Sequence, residues 1–174
     1  GRSFQSLSGK GLYLSILLRP AVSLAELSQL TAWTAVAVCR GIQSCCGAEP
    51  QIKWTNDIVL EGKKLCGILT EMGLENEINA LQYLVTGIGV NVNQRPEDFS
   101  PDVRPIAASL FNVLGRPVRR SELAVQIIRA LDRMYSAFPQ GKADYLARYR
   151  ADCLTLGRTV RLLRAGGEEE AFAE

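Results

Sequence analysis

There is no histidine anywhere in the 174 residues. That excludes Ser-His-Asp and Cys-His nucleophilic machinery, and with them every histidine-ligated metal site. The five cysteines (Cys39, Cys45, Cys46, Cys66 and Cys153) form no CxxC pair and no zinc-type spacing. Their odd number, with no signal peptide, fits reduced thiols in a cytoplasmic protein, most of them serving as buried apolar filler. Cys45 and Cys46 are adjacent and could oxidise. No apolar run reaches about 18 residues, so no segment is expected to cross a membrane. A large excess of one charge is missing too: the net charge is +2, which gives no reason to expect nucleic acid or a membrane surface as partner. The charge is uneven, however, with most arginines between Arg116 and Arg164 and an acidic run at Glu168, Glu169 and Glu170.

Two familiar nucleotide-binding signatures are also absent. Gly87-Ile88-Gly89 opens like a dinucleotide fingerprint, but Val92 stands where the third glycine belongs and no helix pattern follows. Gly9-Lys10 lacks both the glycine five positions earlier and the following Ser or Thr of a phosphate-cradling loop. Any use of ATP must therefore come through a different architecture.

What is present is an ordinary globular composition, 47% apolar and 22% charged. The length suits one domain with room for the start of a second, and a chain of this size buries roughly 70% of its unfolded surface. Gly1 to Gly11 reads as a polar, glycine-rich loop, and Leu12 to Leu18 as a buried strand ended by Arg19-Pro20. Ser23 to about Cys45 has helical apolar spacing, with Ser23 and Glu26 placed as a capping box, and reads as one long buried helix. Ile52 to Trp54 is a short strand. Ile58 to Leu60 and Leu65 to Glu71 flank Glu61-Gly62-Lys63-Lys64 as a hairpin, and Tyr83 to Val92 is a further strand. Ser109 to Leu114, Arg120 to Phe138 and Ala143 to Cys153 read as helices, and Thr159 to Leu163 as a strand whose partners are not expected in the chain. Hairpins and alternating strands favour an α+β fold with a mixed or antiparallel sheet and flanking helices.

Chemistry concentrates between Lys53 and Glu71, KWTNDIVLEGKKLCGILTE. Lys53, Asn56, Asp57, Lys63 and Lys64 fall within one strand-turn-strand unit. Lysines are point charges suited to phosphate or carboxylate oxygens, and an Asn-Asp pair at a strand end can hold a magnesium-bound nucleotide or orient a lysine. Each lysine taken singly is as well explained by the solubility of a turn; the group together points to a site. The second cluster is Gly87 to Asn93, GIGVNVN, whose glycines permit close backbone approach and whose Asn91 amide can pair with a base edge or ribose. A crowded strand relieved by glycine explains that segment equally well.

KWTND, GKKLCGILTE and GIGVNVN, in this order and spacing, resemble the biotin protein ligase family, with its KWPND motif, a lysine seven residues after the aspartate, a following G-I-L and a G-x-G-x-N strand. GRSFQSLSGKGLYLSILLRP is similar to the tail of that family's arginine- and glycine-rich loop with its first core strand, and LTLGRTVRLL to the entry of its closing SH3-like barrel. The resemblance implies a fold like that of class II aminoacyl-tRNA synthetases, with a catalytic domain over 1–154 and the beginning of the barrel over 155–174. It implies a ligase that converts biotin and ATP with Mg2+ to biotinyl-5'-AMP and then biotinylates a lysine of a biotin carboxyl carrier domain. Lys64 is implied at the biotin carboxylate and α-phosphate, with Lys53 adding positive charge, and Asn56 and Asp57 positioning ATP and its magnesium. Gly67, Ile68 and Leu69, with Tyr13 and Ser15, are implied around biotin; Asn91 at the adenine; Arg2 and Phe4 over the bound adenylate. No protein-held metal is implied with certainty. Dimerisation through sheet edges is a family habit that the residues here neither support nor oppose.

The chain departs from the family pattern in three ways. Thr55 replaces the KWPND proline and Phe4 stands where many members have Trp. Measured against the family, the chain is expected to begin inside the arginine- and glycine-rich loop and to end after one strand of the barrel. It corresponds to the ligase core and not to the DNA-binding module that some members carry, so neither nucleic acid nor repressor activity is expected of it. Two other readings stand beside this one: a lipoate or octanoyl ligase or transferase of the same fold, and a non-catalytic biotin-binding domain.

Overall fold

The computed structural model describes residues 7–20, 24–27, 29–75, 80–164 and 166–174. Five strands form one antiparallel sheet in the order β1-β5-β4-β3-β2: β1 (Leu12–Leu18), β2 (Gln51–Lys53), β3 (Asp57–Leu60), β4 (Lys63–Glu75) and β5 (Ala80–Val90). Helices α2 (Leu30–Cys46), α4 (Arg120–Ala137) and α5 (Lys142–Asp152) accompany it, with two short ones, α1 (Leu24–Leu27) and α3 (Leu110–Leu114). Strands β6 (Thr159–Arg164) and β7 (Gly167–Phe172) make a separate antiparallel hairpin. None of the helices among the described residues is long and apolar enough to cross a membrane.

The core lies between the helices and one face of the sheet. Leu12, Leu14, Ile16 and Leu18 of β1, Ile68 of β4 and Leu84, Ile88 and Val90 of β5 point there, at the period of two that a half-buried strand requires. Helix α2 is apolar nearly all round because β-sheet and helices enclose it. Its Gly41 lets α4 approach so closely that a Cβ would lie 2.7 Å from the Ile127 Cα. Trp33 on α2 stacks on Tyr145 of α5 at 4.4 Å between ring centroids and meets Phe138 edge-on. Cys39, Cys66 and Cys153 are buried, Cys45 and Cys46 half-buried, and all five are free thiols, as their spacing implies.

Several expectations need correction. The helix from Ser23 to Cys45 is two helices, with a turn at Gln29 whose N–H reaches back to the Glu26 carbonyl; the Ser23 cap lies outside the described residues. Strand β1 is half-buried rather than buried, alternating along its whole length, because only one of its faces meets helices. Trp54 belongs to the turn after β2, not to the strand. The turn at Glu61-Gly62 is two residues long, not four. Both adopt positive φ (50° and 76°), the geometry whose twist matches a tight hairpin, so Lys63 and Lys64 are strand residues. Strand β6 does have a partner: the acidic run near the end is β7, with Arg161 paired to Glu168 at 3.1 Å. Charge and glycine disguised that strand.

Candidate active site

The face of the sheet turned away from the core carries the residues of interest, and the register places them in one row. Lys53 faces Asp57, Asp57 faces Gly67, Gly67 faces Gly89, and Gly89 faces Tyr13, so the row crosses all five strands. With strands about 4.8 Å apart it spans ~19 Å. The next row on that face runs Leu69, Gly87, Ser15. Glycines at 67, 87 and 89 thus make a shallow trough in the middle of the face. It is bordered by the exposed Tyr13, Ser15 and Leu69 and, at one end, by charge. Above Gly87 the space is open: the nearest atom to a Cβ there would be the Leu69 carbonyl, 3.8 Å away.

Lys64 reaches this trough only because of a β-bulge. Strict alternation would send Lys64 to the side of Cys66, Ile68 and Thr70, that is, toward the core. The register slips between Ile58 and Val59, so Leu65 is the extra residue, and both Leu65 and Cys66 are buried. Parity is thereby reversed N-terminal to the bulge. Lys64 turns onto the open face, where its Nζ lies 2.5 Å from Asp57 Oδ1 and 3.5 Å from where a Cβ on Gly67 would stand. The backbone is fixed there from outside the hairpin: Lys64 N–H donates to the Ile106 carbonyl, and the Lys64 carbonyl accepts from Ala108 N–H, at 2.8 and 2.9 Å. Lys64 stays half exposed, so its ammonium is available to an incoming anion.

The turn between Lys53 and Asp57 is held from two sides. Asn56 Nδ2 donates to the Ile68 carbonyl at 2.7 Å while Ile68 N–H donates to the Asn56 carbonyl at 3.0 Å. From below, Tyr149 of α5 donates its hydroxyl to the Thr55 carbonyl at 3.2 Å. Trp54 projects from this turn, 68% exposed.

Of the anticipated residues, the structure brings Lys53, Asp57, Lys64, Gly67, Leu69, Tyr13 and Ser15 to one face. It uses three others differently. Ile68 points into the core, 2% exposed, because it has the opposite parity to Gly67 and Leu69, and it serves the site through its backbone. Asn56 joins the turn to β4. Asn91 donates to the Ala108 carbonyl at 3.1 Å and accepts from Gln94 Nε2 at 3.2 Å, so its amide clips the segment that fixes Lys64. Arg2 and Phe4 lie outside the described residues.

Three participants escaped the sequence reading. Tyr149 sits in an unremarkable helix far along the chain. Leu65 marks the bulge, for which two adjacent buried apolar residues in a hairpin strand were a signal. Gly11 is required by Tyr13, whose ring folds back so that a Cβ on Gly11 would lie 2.5 Å from the Tyr13 hydroxyl; the signal was a glycine two residues before an aromatic on an edge strand. Partial burial raises the Tyr13 phenol above its ordinary value.

A model of the biotin/lipoate A/B protein ligase family matches residues 1–91. The bifunctional ligase/repressor BirA of Bacillus subtilis is 40% identical over 167 residues, 95% of this chain and 51% of that protein. The biotin–[acetyl-CoA-carboxylase] ligase of Mycobacterium tuberculosis is 34% identical over 122 residues, 70% of this chain and 42% of that protein. Among solved structures, the biotin protein ligase of Aquifex aeolicus in complex with biotin and ATP superposes with a TM-score of 0.78 at 26% identity, covering 94% of this chain and 66% of that one. The chain spans about half the length of the curated relatives it matches.

Proposed function

Because the chain belongs to the biotin/lipoate A/B protein ligase family, we propose that it activates biotin with ATP and transfers it to a lysine of a biotin carboxyl carrier domain. The observation that carries this reading is Lys64, turned by a bulge onto a glycine-floored trough beside Asp57 and in the same charged corner as Lys53. In the first step the biotin carboxylate attacks the α-phosphorus of ATP; pyrophosphate leaves and biotinyl-5'-AMP forms. In the second, the ε-amine of the carrier lysine attacks the acyl carbon, AMP leaves with the bonding pair, and the amine loses a proton. Lys64 and Lys53 stabilise the negative charge that grows on phosphate and acyl oxygens in both steps, which is where fixed positive charge lowers a barrier most. Neither step needs a covalent enzyme intermediate, so a chain without histidine can carry them out.

Asp57 holds Lys64 on the trough in the free protein, and an arriving carboxylate or phosphate competes for the same ammonium. Magnesium enters as Mg-ATP, a substrate. One carboxylate beside a phosphate site suits an ion that keeps most of its ligands from phosphate and water, and the described residues contain no cluster of three or more candidate ligands. Gly67, Gly87 and Gly89 let the acid lie against the backbone, Leu69 and Tyr13 give apolar contact, and Ser15 offers a hydroxyl. We assign this chemistry to 1–154 and leave 155–174 to a closing module. Arg2 and Phe4 are assigned to the cover of the adenylate on the resemblance alone, as are a cytoplasmic location and a second copy of the chain as partner.

Isothermal calorimetry with biotin, with and without Mg-ATP and with lipoate as the control, tests the reading. Selective binding of biotin, with formation of biotinyl-5'-AMP in the presence of Mg-ATP, is the expected result. Preference for lipoate would transfer the site to the other branch of the family, and binding of biotin without adenylate would leave a binding domain.

A further inference from the structure

The turn that carries the charged corner is tied to the helical layer by a side chain that sequence motifs do not reach. Tyr149 is 9% exposed, and its hydroxyl donates to the Thr55 carbonyl across 94 positions of chain. Burial, with Cys153 nearby, pushes its phenol up to about 12, so the hydroxyl keeps its proton and remains a donor. The chain just beyond Tyr149 follows the same edge: Cys153 forms a parallel bridge with Ile52, and Leu154 N–H donates to the Ile52 carbonyl at 2.9 Å. Strand β2, only three residues long, therefore has β3 on one side and this strap on the other. Lys53 ends β2 and Asp57 begins β3, so the angle of the turn between them sets where both charges lie. Asn56 fixes the β3 side of the turn to β4, and the Tyr149 hydrogen bond fixes its middle.

We propose that Tyr149 is a positioning residue for the ligase reaction. By holding the Thr55 carbonyl it fixes the Trp54-Thr55-Asn56 turn, and so keeps Lys53 and the Asp57–Lys64 pair in register with the trough. Tyr149 touches neither substrate nor reacting atoms and acts through the turn. The proposal rests on the ligase reading.

Tyr149→Phe keeps the ring in the core and removes the hydroxyl alone. The chain holds two tryptophans, Trp33 at 1% exposure in the core and Trp54 in the turn, so fluorotryptophan labelling makes one resonance a monitor of the fold and the other a monitor of the turn. In Tyr149→Phe we expect the Trp54 resonance to shift or broaden while the Trp33 resonance and the thermal midpoint stay close to the parent's. Adenylate formation should slow about tenfold, with the loss in kcat and biotin binding weakened by less than about threefold, because the interaction matters at the transition state. An active parent whose Tyr149→Phe variant leaves adenylation and the Trp54 resonance unchanged overturns the positioning role and spares the ligase reading. Loss spread equally over both resonances and the thermal midpoint assigns Tyr149 to packing and also overturns it. A parent that forms no adenylate overturns the ligase reading, and the role with it.

Discussion

Two segments of this chain invite the same interpretation, Lys53–Glu71 and Gly87–Asn93, and the structure treats them in opposite ways. In the first, lysines and an aspartate separated by a turn, a hairpin and a bulge converge on the open face of the sheet. In the second, the glycines join the floor of the same face, but the asparagines turn inward. Asn91 ties Ala108 and Gln94, and Asn93 exchanges two hydrogen bonds, both 2.9 Å, with the backbone of Val118. An amide that suits a nucleobase suits a peptide group equally well, since both offer one donor and one acceptor. The Lys64 ammonium, although paired with Asp57, stays half exposed on the open face, whereas both asparagine amides are engaged by other segments of the chain.

The contrast is sharpest under substitution. Lys64→Ala should abolish adenylation, a loss of at least 10²–10³-fold for a group opposing developing charge, and leave the thermal midpoint within ~2 °C of the parent's; equal turnover would remove Lys64 from its role. Gly67→Ala comes next. Its Cβ would meet Lys64 and Asp57 at 3.5–3.9 Å, ordinary contact, so folding is retained. One methyl in the floor should weaken biotin binding roughly 10–100-fold, readable by calorimetry. Asn93→Ala is expected to do the reverse, destabilising by about 1–3 kcal/mol through two unpaired backbone groups, seen in denaturant unfolding, with adenylation at low temperature near the parent's.

The smallest effect belongs to Asp98, which pairs with Lys10 and accepts from Arg95 N–H. The Lys10 hydrogen bond, with that from Arg95, holds its carboxyl below the ordinary value. A carboxyl lowered on folding contributes stability above its unfolded pKa and loses it as pH falls through the folded one. Asp98→Asn should therefore lower the midpoint slightly at neutral pH, with the gap to the parent closing in acid. A gap that widens in acid would contradict the assignment.

Much of the fold was legible. The strands of the sheet, a hairpin with Gly62 in its turn and the helices near 109–114, 120–138 and 143–153 were expected and lie within a few residues of where they were placed. The errors have physical causes. The α1–α2 break leaves apolar spacing intact, so periodicity alone cannot see it. Strand β7 carries three exposed glutamates on a two-stranded hairpin, so it lacks the apolar signal by which strands are read. Ile68 is adjacent in sequence to Gly67 and Leu69 but opposes them in space, because neighbouring side chains of a strand point to opposite faces.

The sequence by itself determined which chemistry this chain has available: lysine charge, carboxylates, glycines for close approach, and no histidine. It also determined the family, because the motifs and their spacing are local properties of the chain. Only the tertiary structure decided which of those groups meet. A one-residue bulge put Lys64 on the open face, cross-strand register aligned Lys53, Asp57 and Gly67, and α5 supplied Tyr149 beneath the turn. Parity and register depend on pairing between strands distant in sequence, and no single segment contains that information.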